Sequence, residues 1–228
     1  MKIAFISEQY PPTDGGVATS TQRVAQAMSA LGVSVHVLCF DHSRPLDVDD
    51  YVLTEYDHSV RISRVGPFFL RHKHLSKDGS SEKLKAALRR RAYGQMLRII
   101  ESDTDVILSF YVINSGFIAQ YLARTLNIPH VAGVRGDDIG RNIFNVERFA
   151  VIQWVINGAD WVVSVNEHLK ARMLMAFPEV RSRSCVIPNS VSPYLQSVPV
   201  ERARTHVGLV TGWNHYCPNV FEMRSGKD

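Results

Sequence analysis

Short β-branched runs alternate with longer helix-forming stretches along the first 190 or so residues, and this alternation limits the fold more than any other feature. The strand-like runs are KIAFI (2–6), VSVHVLCF (33–40), VRISRV (60–65), DVILSF (105–110), PHVAGV (129–134), DWVVSV (160–165) and SCVIP (184–188). Helix-like stretches fall at 17–31, 81–102, 115–127, 146–158 and 167–177. In the first of these, Val17, Val24, Ala27, Met28 and Leu31 share one side before Gly32 ends the pattern. In the second, Leu84, Leu88, Ala92, Met96 and Ile100 recur at four-residue steps. Strands that alternate with helices build a parallel sheet covered on both faces. The runs are apolar nearly throughout, as doubly covered strands are. Residues 1 to about 190 therefore read as one doubly wound α/β domain. The acidic stretch 41–59 and the stretch 66–81, which ends in KDGSS, read as loops.

The remainder has a different character. Residues 192–204 hold two prolines and read as a linker or hinge. THVGLVTG (205–212) looks like another first strand, and the residues after it have no period. A strand without a sheet to join is not a domain, so the sequence reads as the start of a second domain that stops. No apolar run reaches the roughly 18–20 residues of a membrane span. MKIAFIS meets polar residues too soon for a signal peptide. Three scattered cysteines, Cys39, Cys185 and Cys217, suggest no disulfide framework and a reducing, cytoplasmic setting.

Charge is unevenly placed. The formal net charge is +4, yet Arg61 to Arg98 holds eleven Lys and Arg against only Asp78 and Glu82. Such a segment is either a solvated face with its loop or a surface for anionic lipid or a phosphorylated acceptor. It has few interleaved aromatics and no nucleic-acid motif, which argues against nucleic acid.

Three stretches carry candidate chemistry. SEQYPPTDGGVATST (7–21) places Gly15 and Gly16 between the first strand and its helix. In open α/β sheets ligands bind beyond the carboxyl ends of the strands, where helix N-terminal N–H groups suit phosphate. Two glycines let the backbone approach a diphosphate closely; a plain turn before a helix is the alternative. The spacing is neither the dinucleotide fingerprint nor a P-loop. VAGVRGDDIGRN (131–142) puts Arg135, Gly136, Asp137 and Asp138 at another strand end. Three charges in four residues must face a cleft or pair with one another. Either an aspartate caps the next helix, or Arg135 donates to an anionic or hydroxyl-rich ligand while Asp138 accepts from sugar hydroxyls. CVIPNSV (185–191) makes a sharp exit from the sheet at Asn189. The nine histidines are scattered, and the close pair His72 and His74 lies in a basic loop without thiols or carboxylates, so no metal site is expected. No G-x-S-x-G occurs.

Taken in order, these stretches resemble the N-terminal half of a retaining glycosyltransferase of the GT-B fold, family 4 (the group 1 type). The resemblance runs from residue 1 to about 191 through YPPTDGGVAT, SALGVSVHVL, VRGDD, VSVNEHLK and VIPNSV. It implies a Rossmann-like, acceptor-side domain over 1–191, with 192–228 as hinge and truncated or irregular start of the second domain. It also implies sugar transfer, with retention, from a nucleoside diphosphate sugar to a hydroxyl acceptor, in polysaccharide or glycan assembly. No tightly bound cofactor is implied. Gly15, Gly16 and Val17 would lie near the donor diphosphate. Arg135 and Asp138 would be the catalytic members of the strand-end motif, with Gly136 and Asp137 beside them. Asn166 and Glu167 would face the acceptor side, and Asn189 would mark the hinge.

Some positions depart from the family pattern. Arg135 stands where histidine is common, so proton-transfer roles do not carry over. Asn166 stands for serine, and Ser190 and Ser192 for the hinge glycine and aspartate. The family's donor motif E-x7-E is missing, because no glutamate has another eight positions on. The expectation is a truncation or a frame change near Thr211 to Trp213, and little or no transfer by these residues alone. A non-catalytic acceptor- or membrane-binding module, peripheral at the inner membrane face, is the alternative.

Overall fold

The computed structural model describes residues 1–41, 52–66 and 80–189. The readings made for 42–51, 67–79 and 190–228, including the hinge beyond Asn189, the further strand, His72, His74 and most of the basic loop, lie outside the described residues. Met1–Asn189 forms one compact unit.

Eight strands form one sheet in the order β3-β4-β2-β1-β5-β6-β7-β8. These are β1 (Lys2–Ser7), β2 (Ser34–Phe40), β3 (Leu53–Asp57), β4 (Val60–Val65), β5 (Val106–Phe110), β6 (His130–Val134), β7 (Trp161–Ser164) and β8 (Ser184–Val186). All pairings are parallel except β3 with β4. The helices are α1 (Gly16–Ala30), α2 (Ser80–Ile99), α3 (Ser115–Leu126), α4 (Asp137–Gly140), α5 (Val146–Gly158) and α6 (Glu167–Ala176). Two 3-10 turns, Asn142–Phe144 and Pro178–Arg183, complete the elements among the described residues.

The period of two in the strands sorts side chains onto two faces. Ala4, Ile6, Leu38, Phe40 and Ile107 pack with Ala92, Met96, Ile118 and Leu122 of α2 and α3. Ile3, Phe5, Val35, Val37, Leu108 and Phe110 point the other way and pack with Ala25 of α1. A third cluster joins Ala132, Val134 and Val162 to Ile152, Val155 and Ile156 of α5 and Leu169 and Met173 of α6. From β1 the chain moves outward to β2 and β4, and from β5 it moves the opposite way through β6 to β8. The order therefore reverses between β1 and β5, and open α/β sheets bind their ligands beyond the carboxyl ends of the strands at such a point.

The structure corrects two sequence-based expectations. Residues 53–57 form an antiparallel edge strand rather than loop. LTEYD carries two acidic residues, a composition depleted in strands, and it is held by pairing with β4 instead of by burial. The buried side of α1 is Ala18, Thr21 and Ala25, with Val24 and Met28 partly covered, whereas Ala27 and Leu31 are exposed. Small residues let the helix lie close to the sheet, and a search for large apolar residues passes over them.

Candidate functional site at the carboxyl edge of the sheet

The loop after β1 leads to α1, whose N-cap is Gly15 at φ 139°. A side chain is strained at that φ, which explains glycine there. Gly15 offers no side-chain cap, and the first turn of α1 contains no acidic residue. The first amides of the helix thus keep their uncompensated partial positive charge. A Cβ on Gly16 would meet nothing within 4 Å, so this turn faces open space. The Ser7 and Thr21 hydroxyls share a hydrogen bond of 2.8 Å that seats α1 on the end of β1.

Glu8 follows directly. Its carboxylate accepts from Asn114 Nδ2 at 2.9 Å, which bridges the ends of β1 and β5. Burial pushes the Glu8 carboxyl upward, although the Asn114 hydrogen bond opposes the shift. At the end of β5, Tyr111 adopts φ 72°, a conformation rare for a bulky residue. Its carbonyl accepts from Gly116 N at 2.8 Å and from Ser115 Oγ at 3.0 Å. A Cβ on Gly116 would lie 2.8 Å from that carbonyl oxygen, so glycine is needed where α3 begins. Burial raises the Tyr111 phenol, and the charges of Asp138, Asp137 and Glu8 add to the effect.

The next strand end, after β6, carries Arg135. Its guanidinium lies 3.9 Å from the Phe110 ring centre, and Nη2 donates to Asn189 Oδ1 at 2.8 Å. Arg135 and Asn189, separated by 54 positions, thus meet at this edge. Gly136 follows at φ 147°. Asp137 is exposed in the first turn of α4. Asp138 is placed otherwise than its composition suggested. It is fully buried, and its carboxylate accepts from the backbone N–H of Arg135 at 3.1 Å and from that of Val112. A carboxylate at this depth ties the β5 and β6 loops together and has no surface for a sugar hydroxyl. Burial pushes it up to about 7 despite those two hydrogen bonds, and Oδ1 has no partner.

After β7, Asn166 caps α6, its Oδ1 accepting from Leu169 N at 2.7 Å, and Glu167 is exposed in the first turn. The fold therefore brings every candidate position from Gly15 to Asn189 to the carboxyl edge of the sheet. Glu8, Tyr111, Asn114 and Phe110 join them, and sequence reasoning missed all four. Their link is spatial, across two adjacent strand ends, and no local pattern reports it. Two polar clefts, of about 210 and 270 Å³, lie instead toward the amino edge. In the first, Lys2 and Arg61 are already paired with Glu101. Among the described residues, no group of three or more His, Cys, Asp or Glu is placed to hold a metal ion.

Together the sheet order and this edge define one Rossmann-like α/β domain of the GT-B type. Anabaena Alr3699/HepE, solved in complex with UDP and glucose, superposes with a TM-score of 0.56 at 16% identity, over 91% of this chain and 50% of its own. Arabidopsis thaliana UGT89C1, complexed with UDP, gives 0.54 at 12% identity, over 91% and 56%. UDP-GlcNAc 2-epimerase from Neisseria meningitidis, bound to UDP-GlcNAc, gives 0.53 at 14% identity, over 91% and 51%. The chain spans about half the length of these structures. The sequence profile of Glycosyltransferase Family 4 matches residues 14–194, and the chain belongs to that family. No curated protein matches it in sequence.

Proposed function

We propose that this chain supplies the acceptor-side domain of a retaining glycosyltransferase. The reaction moves a hexosyl group from a nucleoside diphosphate sugar to a hydroxyl of a glycan or lipid-linked acceptor, in polysaccharide or glycan assembly. The observation that carries the reading is the placement of an uncapped helix N-terminus at Gly15–Gly16 and of Arg135 on the same carboxyl edge of a family 4 chain. The UDP and UDP-sugar complexes of the similar structures support a uridine nucleotide as probe.

In this reading the Gly16 and Val17 amides face the diphosphate, whose growing charge is stabilised by preorganised N–H dipoles. Arg135 adds a fixed positive charge on the same edge. Asp138 positions Arg135 through the backbone, with Gly136 and Asp137 shaping the turn. Asn166 and Glu167 border the acceptor, and Asn189 is the hinge residue that Arg135 holds. The domain works at the cytoplasmic face of a membrane. Because the sequence holds no E-x7-E pair, residues 1–228 alone bind a nucleotide sugar weakly and turn it over little or not at all.

Amide NMR of the 228-residue chain titrated with UDP tests the reading. Shifts should concentrate at Gly15 to Ala18 and at Arg135. Shifts absent from both would remove the nucleotide assignment, and transfer from UDP-glucose by this chain alone would remove the claim of incompleteness.

A second reading, a non-catalytic module that binds an anionic membrane, is favoured by the exposed basic face of α2, with Lys83, Arg89, Arg90 and Arg98. No helix among the described residues is long and apolar enough to cross a membrane, so contact would be peripheral. Co-sedimentation with phosphatidylglycerol vesicles that weakens as salt rises would support it.

A further inference from the structure

The edge hairpin β3–β4 meets the glycine loop through one buried arginine. Arg64, at the end of β4, is 8% exposed and has five N–H donors to satisfy. Nε and Nη2 donate to Glu55 Oε1 of β3 at 2.8 and 2.6 Å. Nη1 donates to the Tyr10 carbonyl at 3.4 Å and reaches Cys39 Sγ at 3.7 Å. Nη2 also donates to the Pro11 carbonyl. All five donors are therefore committed, two of them to consecutive carbonyls of the loop between β1 and α1.

The same loop is gripped a second time. Asp57, at the end of β3, accepts at Oδ2 from Tyr10 Oη at 2.7 Å, from Gln22 Nε2 at 2.8 Å and from Gln26 Nε2 at 3.0 Å. Tyr10 is 1% exposed and is held at both ends, its carbonyl by Arg64 and its hydroxyl by Asp57. Gln22 and Gln26 are on α1. The hairpin thus fixes both the loop and the helix that together present Gly15 and Gly16. The Thr13 amide closes a turn onto the same Tyr10 carbonyl at 3.2 Å, just before α1 begins at Gly16.

From this geometry we infer that Arg64, with Glu55 and Asp57, is a positioning residue of the site: it sets where the Gly15–Gly16 amides lie, although it touches no ligand itself. An unrestrained loop of eight residues (8–15) with two prolines and one glycine has several conformations, and only one aims those amides at a phosphate. A planar fork with five donors meets two carbonyls, a carboxylate and a thiol at once. A lysine has three donors around one nitrogen and cannot repeat the pattern. The inference rests on the nucleotide reading for its consequence, but the restraint of the loop stands on the contacts alone.

The test uses the full 228-residue chain, with Arg64→Met, Arg64→Lys and Tyr10→Phe, and two readouts. Hydrogen exchange of the 9–18 amides reports the restraint, with β5 to β7 amides as the internal reference. UDP, followed by amide NMR, reports its consequence. Charged hydrogen bonds of this kind hold their groups by about tenfold or more. The expected result for Arg64→Met is about tenfold faster exchange confined to 9–18 and UDP shifts weakened about as much, with no rescue in Arg64→Lys. Tyr10→Phe, which removes one neutral donor, should show a smaller effect in the same amides and provides the test if Arg64→Met does not fold. Unchanged exchange in 9–18, or equal acceleration in β5 to β7, would overturn the inference. UDP affinity equal to wild type despite a loosened loop would overturn its functional half. If wild-type protein gives no UDP shifts while Arg64→Met still loosens the loop, the positioning role is upheld and the nucleotide reading is the part that fails.

Discussion

Arg135 rests on Phe110: the guanidinium carbon lies 3.9 Å from the ring centre, while Nη2 donates to Asn189. Phe110 is in turn fixed edge-on against Phe5, with ring centres 4.6 Å apart. A cation held over a ring gains about 0.5–2 kcal/mol, more as water is excluded. Phe110→Leu keeps the core filled but removes the platform. It should weaken UDP binding about threefold to tenfold with little change in unfolding midpoint. Arg135→Lys should weaken it too, because an ammonium does not stack as a planar guanidinium does. Titration calorimetry with UDP checks both, and wild-type affinity in Phe110→Leu would remove the ring from the site.

Gly133 decides whether Phe110 can sit there. A Cβ at this position would lie 2.7 Å from the Ser109 carbonyl oxygen and 2.8 Å from Phe110 Cδ1. The first neighbour is backbone of the paired strand and cannot yield cheaply. Gly133→Ala should cost about 1–3 kcal/mol by overpacking and should turn the Phe110 ring out from under Arg135. Urea unfolding measures the first effect. The second should appear as weaker UDP binding in protein still folded at low urea. A variant as stable as wild type would show that the two strands can separate locally.

Two buried groups drive stability in opposite directions with pH. His130 is fully buried between Ser109 Oγ (2.9 Å) and Gln120 Oε1 (2.7 Å), and burial pushes it from 6.5 to about 4, slightly opposed by Asp160. Between those values the unfolded chain binds the proton and the folded chain does not, so His130 makes stability rise with pH, by roughly 3 kcal/mol in all. His36, also pushed down to about 4 by burial and Arg61, acts in the same sense. Asp138 moves from 3.8 up to about 7, through burial and the nearby Glu8 and Asp137. There the folded chain holds the proton, so stability falls as pH rises from 3.8 to about 7. Over about pH 4 to 6.5 two histidines are opposed by one aspartate, so wild-type stability should still rise with pH, with the slope of about one group. Asp138→Asn should make that rise about twice as steep across the same interval. Urea melts at several pH values decide, and an unchanged slope in Asp138→Asn would refute the assignment.

The parts of the fold legible in the sequence are those whose signal is local. The β-branched runs became strands because burial on both faces favours them. The four-residue steps of Leu88, Ala92, Met96 and Ile100 all point into the core. Strand β3 was not legible because Glu55 and Asp57, which mark it as a loop by composition, are the residues that bind Arg64 and Tyr10. The same reason hides the rest of the site. Glu8 meets Asn114 across 106 positions, and His130 finds Ser109 and Gln120 across 21 and 10. Tyr111 takes a left-handed φ without a glycine to announce it. The places of Gly15 and Arg135 at strand ends were legible because strand ends before helices are recognisable, while the depth of Asp138 was not, because burial is not written in a run of charges.

Asn166 separates a structural role from a binding one. Its side chain caps α6 through Leu169 N at 2.7 Å, just as Asn145 caps α5 through Arg148 N at 3.2 Å. Loss of such a cap costs about 1 kcal/mol. Asn145→Ala is the control, since that cap lies on a different helix and was assigned no ligand role. If Asn166 only caps, both variants should lose about 1 kcal/mol in urea melts and neither should alter ligand contacts. If it also borders an acceptor, Asn166→Ser, which retains a capping oxygen, should restore stability without restoring binding. Glycan-array binding of wild type, Asn166→Ala and Asn166→Ser reads the difference. Full recovery of both properties in Asn166→Ser would leave the cap as its whole function and shift the acceptor-side role to exposed Glu167.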